Sequence, residues 1–243
     1  MVSRDQSVLR LTLFQETACY KKPVAFKVGE TYPLPPYSTV KGMLHHLLGA
    51  EEYIPMKICI QGRYESRVVD YQRHYLIKKR DVPEFPLVLD GLPFEVNHKH
   101  MTTMPMYVHM LLNVKLVIHV ATQEEVLARI EQSIYSGQPI SLGRWEDLVR
   151  IDECERTTLR LYDYDEEIAS PYPMYFPVSV EEEVDGVPYR LNWKYTVIQG
   201  VRQWQKIKVK YIQAGQIFWN ESEKIMLDDQ GHPVVFAREM EEE

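Results

Sequence analysis

A chain of 243 residues with 45% hydrophobic composition is long enough to bury a sizeable core, as one large domain or two small ones, and too apolar to be disordered throughout. A formal net charge of −7 excludes a protein that coats nucleic acid with its whole surface, because phosphate binding needs positive potential where the backbone lies. The charge is uneven: residues 1–120 hold 15 Lys/Arg against 11 Asp/Glu and seven of the eight histidines, leaving 13 against 24 and His232 for the remainder, so a nucleic-acid partner is expected on the first half.

Val8 to Phe14 alternates apolar and polar residues and predicts a half-buried strand. A turn-rich stretch from Gly29 to Pro36 follows, ending in Pro35-Pro36, which cannot continue regular structure. Ser38 then stands where an N-cap belongs. Val40, Met43, Leu44, Leu47 and Leu48 fall on one helical stripe closed by Gly49, predicting a short amphipathic helix. Ile54 to Gln61 reads as a second strand, Tyr64 to Leu76 as extended, and residues 78–105, dense in charge, Pro and His, as an inserted loop or hairpin.

Tyr107 to Val120 predicts a long strand with Leu112, Val114, Leu116 and Ile118 on one face and Asn113, Lys115 and His119 on the other. Thr122 and Glu125 have the spacing of a capping box, opening a second helix whose buried face is Val126, Leu127, Ile130 and Ile134 and which ends at Gly137. Ile140 to Asp147 is a Gly-containing loop and Leu148 to Ile151 a short strand. This order is the split βαβ pattern of an α+β, ferredoxin-like domain of the kind shared by RRM-type RNA binders, expected over residues 1–154. Residues 155–243, punctuated by Asp185-Gly186, Gly200, Gly215 and Gly231, predict a second, β-rich C-terminal part built of hairpins.

Three segments carry a resemblance. Leu34-Pro-Pro-Tyr-Ser-Thr-Val-Lys-Gly-Met-Leu-His-His-Leu-Leu48 resembles the proline-proline-serine-threonine signature that opens the first helix in the Cas-five family of RAMP-superfamily CRISPR subunits. Leu112 to His119 is similar to that family's third core strand, and Ser141-Leu-Gly-Arg-Trp-Glu-Asp-Leu-Val149 to its leucine-glycine-arginine loop and closing strand. Among the branches, the first segment is most similar to the type I-B kind. The resemblance implies a subunit of a type I interference complex (Cascade) that binds the 5′ handle of the CRISPR RNA and ends the row of backbone subunits. It also implies contacts to the backbone subunit, to the large subunit and to target DNA near the adjacent motif, and an inserted hairpin thumb at about 70–105.

The residues themselves supply a chemistry for that role. A helix start after Pro-Pro presents free backbone N–H groups, to which Ser38 and Thr39 add hydroxyl donors and Lys41 a charge; capping alone would explain Ser38 equally well. Lys21 and Lys22 lie just upstream. Arg63, Arg67, Arg73, His74, Lys78, Lys79 and Arg80, interleaved with Tyr64, Tyr71 and Tyr75, suit phosphate contact and base stacking, against the alternative of a solvated charged hairpin. Arg144 and Trp145 follow Gly143 in a loop that suits a phosphate, against the alternative that Arg144 pairs with Glu146 or Asp147.

Some type I-C relatives cut precursor RNA without metal, and the groups chemically suited to that here are Tyr37, Lys41, His45, His46, His98, Lys99 and His100, the His98-Lys99-His100 cluster being the most suggestive. Nothing in the sequence fixes a base and a phosphate stabiliser in one place, so binding without catalysis is the expectation. No cofactor is expected. Cys19, Cys59 and Cys154 form no CxxC pair and His98-x-His100 lacks further ligands, so neither a disulfide framework nor a metal site is expected. The stretch from Met104 to Val120 is interrupted by His109, Lys115 and His119, which speaks against a membrane span; a reducing cytoplasm is the expected setting.

Overall fold

The computed structural model describes residues 8–23, 28–77, 101–161, 168–178, 184–218 and 225–237. The elements run β1 (Val8–Ala18), β2 (Val28–Gly29), α1 (Tyr37–Leu48), β3 (Lys57–Arg63), β4 (Ser66–Ile77), β5 (Met101–Ala121), α2 (Glu124–Tyr135), β6 (Ile140–Ser141) and β7 (Leu148–Thr157). They continue with β8 (Arg160–Leu161), β9 (Ile168–Ala169), β10 (Met174–Pro177), β11 (Val187–Ile198), β12 (Val201–Ile212), β13 (Ile217–Phe218), β14 (Met226–Leu227) and β15 (Pro233–Val234).

The predicted strand at Tyr107–Val120 is the middle of something longer. β5 runs 21 residues, on the order of 70 Å at ~3.4 Å per residue. Its inner half pairs with β1 on one side and β3 on the other, and its outer half pairs with β4 from Ser66↔Leu112 to Ile77↔Met101. The core strands therefore lie in the order β3-β5-β1-β7, all antiparallel, with α1 connecting β1 to β3 and α2 connecting β5 to β7. This is the element order the sequence predicts, as a mostly antiparallel sheet with two helices.

Leu9, Leu11 and Leu13 of β1, Ile58 and Ile60 of β3, and Val114, Leu116 and Ile118 of β5 pack with Val40, Leu44 and Leu47 of α1 and Val126, Leu127 and Ile130 of α2. Each fully buried side chain of this kind contributes about 1.5–3 kcal/mol. Leu111, and not Leu112, joins this core, because Asn113 takes a left-handed conformation (φ 50°) and interrupts the alternation.

Both predicted helix starts shift. Pro36, not Ser38, is the N-cap of α1: its carbonyl accepts the N–H groups of Thr39 (2.9 Å) and Val40 (3.2 Å), while no side chain caps the end. Tyr37 is fully buried against Tyr175 and Trp193, and this packing draws the helix start ahead of Ser38. At α2, Gln123 is the cap, and the Thr122 hydroxyl donates instead to Pro55 O at 2.8 Å, so no capping box forms. Gly49 closes α1 in the left-handed conformation (φ 58°) as predicted.

The chain after β7 extends the same sheet. β10 pairs with the outer edge of β3, β12 with β10, and β11 with β12, which brings Leu191, Trp193, Ile207 and Val209 into the core around α1. The boundary expected after residue 154 falls inside β7. On the opposite side of the sheet, β14, β15 and their flanks cover Val8, Cys59 and Ala121 as a second core. Between that cover and the sheet lies a polar network. Arg10 binds Glu155 (2.7 Å), Asp228 (3.2 Å) and Asp229, and His119 donates from Nε2 to Asp228 (2.9 Å), which also meets His232 (3.0 Å).

Candidate nucleic-acid interface

The arm formed by β4 and the outer half of β5 gathers part of the predicted cationic and aromatic set. Arg67, Val69, Tyr71 and Arg73 alternate onto one face of β4, opposite Leu111, His109, Tyr107 and Pro105. Tyr71 and Tyr107 are 58% and 53% exposed and meet edge to face at 5.5 Å, an aromatic pair open to solvent on a strand that also carries Arg67 and Arg73. Lys22 lies near the root of this face. It binds Glu30 at 2.6 Å, and its ammonium sits 5.8 Å from the Tyr32 ring centre. The Glu30 carboxyl is held below its usual range first by that Lys22 hydrogen bond, with His109 and Arg67 adding to it. Lys21 bridges backbone to backbone with Thr31 on the strand leading out of β1. The side chain of His74, and Lys78, Lys79 and Arg80, lie outside the described residues.

Arg63 is not part of that face. It pairs laterally with Lys115 and stacks its guanidinium 5.7 Å from the Tyr172 ring, on the side of the sheet away from the helices. Asn113, left-handed within β5 and donating its amide to Glu65 at 2.6 Å, stands where the two sides change over. Phe14, with Arg150 at 4.5 Å over its ring, occupies Arg63's side of the sheet. Tyr64 is half-buried against the helix-side core.

The helix-start group divides. Ser38 and Thr39 are half-exposed in the first turn of α1. Lys41 is only 4% exposed, its ammonium 3.1 Å from the Trp193 ring centre and 2.9 Å from the Tyr53 hydroxyl. It sits in an aromatic cage rather than facing a phosphate. Tyr37 is fully buried, and burial pushes its hydroxyl well above the usual phenol range, which removes it as a base near neutrality. His45 commits both ring nitrogens to the backbone: Nδ1 donates to Lys41 O (2.7 Å) and Nε2 accepts from Ile54 N–H (2.9 Å). His46 is exposed, and His98, Lys99 and His100 lie outside the described residues.

The loop after α2 is held rigidly by a buried carboxylate. Asp147, fully buried, accepts the N–H groups of Cys19 and Arg144 (2.9 Å each) and binds the Arg144 guanidinium at 2.7 Å. Glu146 adds a second ion pair at 2.9 Å. The guanidinium is thus spent on carboxylates, the arrangement weighed as the alternative in the sequence. Burial alone would lower its pKa, but the Asp147 hydrogen bond overrides that and raises it. Gly143 has φ 114°, and a Cβ there would come within 2.8 Å of Asp147 Oδ2. The consequence is at the loop's apex, where Trp145 stands 86% exposed. Among the described residues, no three His, Cys, Asp or Glu side chains converge as a cation would require.

The family model described as CRISPR-associated protein (Cas_Cas5) matches residues 8–205. The chain belongs to the CRISPR-associated Cas5 family. Among solved structures, this Cas5 chain is similar to one in a CRISPR RNA-guided surveillance complex, at 14% identity and TM-score 0.51 over 86% of this chain and 90% of that one. A CRISPR protein from Archaeoglobus fulgidus (10% identity, TM-score 0.45, 96% and 99% covered) is a further match. So is a chain of the type III-B Cmr-beta complex bound to cognate target RNA and AMPPnP (11%, 0.43, 87% and 85%). No curated protein matches. The Cas5 match takes in all three sequence segments, together with the β4–β5 arm and most of the β11–β12 hairpin. The sequence predicts hairpins in this stretch but no site residue on them, although a signal was there: a run rich in Lys and Arg within an acidic half.

Proposed function

We propose that this Cas5 chain is an RNA-binding subunit of a type I CRISPR interference complex. It grips the repeat-derived 5′ end of the guide RNA and closes the row of backbone subunits, in the cytoplasm and in contact with the large subunit and DNA near the target-adjacent motif. In this reading the core strands and two helices are a ferredoxin-like unit, the β4–β5 arm is the base of its thumb, and the branch is I-B. The observation that carries it is the exposed Tyr71–Tyr107 pair flanked by Arg67 and Arg73, a combination that stacks bases while its cations meet phosphates. Family membership and the likeness to a surveillance-complex chain support it. Trp145 is a further stacking surface in this reading, and Arg144 the group that positions it.

The chain binds without cutting in this reading, supported by the enclosure of Tyr37 and Lys41 and the backbone commitments of His45. Binding is tested by gel shift with repeat-derived 5′ RNA at increasing salt. Affinity should fall with salt, drop about tenfold in Tyr71→Ala/Tyr107→Ala, and show a shallower salt slope in Arg67→Ala/Arg73→Ala. Salt-insensitive or absent binding would sink the reading. Incubation with repeat RNA in EDTA tests cleavage, and a discrete product lost in His100→Ala would reassign the chain as an endonuclease.

A further inference from the structure

The β11–β12 hairpin inverts the charge of the half it belongs to. Val187–Ile212 contains Arg190, Lys194, Arg202, Lys206, Lys208 and Lys210, six of the thirteen Lys/Arg found after residue 120, and none of the 24 Asp/Glu. The register sorts these cations by face. Arg202, Trp204, Lys206, Lys208 and Lys210 alternate along β12 onto one side, opposite Val197, Tyr195, Asn192, Arg190 and Pro188 of β11. The other side carries Leu191, Ile207 and Val209 into the core over α1, so the cationic side faces away from it. Arg190, Arg202, Lys206 and Lys208 are exposed, and Lys210 is half-buried with its ammonium on Val184 O at 2.6 Å.

Beyond the base of the ribbon the same side becomes aromatic. Tyr195 and Trp204, 44% and 36% exposed, meet edge to face at 5.0 Å, with the Arg202 guanidinium 4.6 Å over the Tyr195 ring. The two-residue turn has both residues left-handed (Gln199 φ 52°, Gly200 φ 75°), the tight type that keeps a ribbon twisted and stiff. Cations at every second residue stand about 6.8 Å apart along β12 and lead to an open aromatic pair.

We infer that the outward side of the β11–β12 ribbon binds an unpaired nucleic-acid strand, with Arg190, Lys206 and Lys208 along its phosphates and Trp204 with Tyr195 under its bases. The cation row and the absence of any carboxylate on the ribbon select a polyanion. The aromatic pair selects one whose base faces are free, since a duplex keeps them stacked. This second surface goes beyond the proposed grip on the guide's 5′ end and lies on different elements from the β4–β5 arm.

The test uses the full chain with oligothymidylate as probe, which has no repeat sequence and no secondary structure. It is run both in the wild type and in the Arg67→Ala/Arg73→Ala background, so that loss of the arm and loss of the ribbon read out separately. In either background, Arg190→Ala/Lys206→Ala/Lys208→Ala should weaken binding at least tenfold and make the salt slope shallower by about 2. Trp204→Ala should weaken it about tenfold, with Trp204→Phe restoring most of the loss. Unchanged melting temperatures check that the variants fold. The inference is overturned if the triple variant binds oligothymidylate as the wild type does, or if duplex DNA binds as tightly as the single strand. It is also overturned if polyglutamate competes for the ribbon while oligothymidylate does not, which would make it a docking face for an acidic protein.

Discussion

Asp228 is the residue on which the cover of the sheet turns. Burial works against its carboxylate, but hydrogen bonds from His119 and His232 outweigh that and hold it well below the ordinary carboxylate range. Burial in turn lowers the His119 pKa from its ordinary 6.5. Both groups take up protons more readily in the unfolded chain than in the folded one, so stability falls as pH falls. Thermal melts from pH 8 to pH 4 should show a plateau above about pH 7, a decline below about 6.5 as unfolded His119 protonates, and a steeper one near 4 from Asp228. Asp228→Ala, which leaves Arg10 without its buried partner, should cost about 3–5 kcal/mol at neutral pH. A flat profile would remove the network from the stability argument. At this scale the sequence is least legible: Lys41 looks like a phosphate ligand because its cage is built by Tyr53 and by Trp193, a residue far along the chain. Arg144 was readable only as one of two alternatives.

Elements were more legible than their ends. The stripe of α1 and the buried face of α2 follow from periodicity alone, since a 3.6-residue repeat has one way to meet a sheet. Their starts were not, because tertiary packing of Tyr37 and the pull of Pro55 on Thr122 override local capping preference. The outer part of β5 falls in the stretch whose charge, Pro and His leave loop and hairpin both open in the sequence, and Pro105 is one of those signals. It pairs there with β4 alone, and an edge tolerates a missing N–H. The loop that lifts Trp145 gives a prediction at this scale. Gly143→Ala should cost about 1–3 kcal/mol, from left-handed strain and the clash with Asp147. Under the proposed RNA-binding role, it should weaken binding of repeat-derived 5′ RNA to the same extent as Trp145→Ala. A Gly143→Ala protein that melts like the wild type would show that the loop relaxes without consequence.

At the scale of the molecule, the split of charge at residue 120 was visible in the sequence, yet the averaging that revealed the basic first half concealed the cationic ribbon inside the acidic second. The β-rich C-terminal part expected from the sequence is joined to the first by hydrogen bonds between β10 and β3 and by Trp193 over α1. Residues 225–237 return to cover Cys59 and to engage Arg10 and His119. A chain ending at residue 224 should therefore lose cooperative unfolding and expose apolar surface, seen as dye binding and a broadened melt. A sharp, unshifted melt would show that the cover is dispensable.

The length of β5 has a mechanical consequence. The same backbone that carries Leu116 and Ile118 in the packed interior also forms one rail of the outlying arm, with no linker between them. Load placed on the arm is passed as leverage straight into the middle of the sheet, and the left-handed Asn113 is the fulcrum at which it arrives.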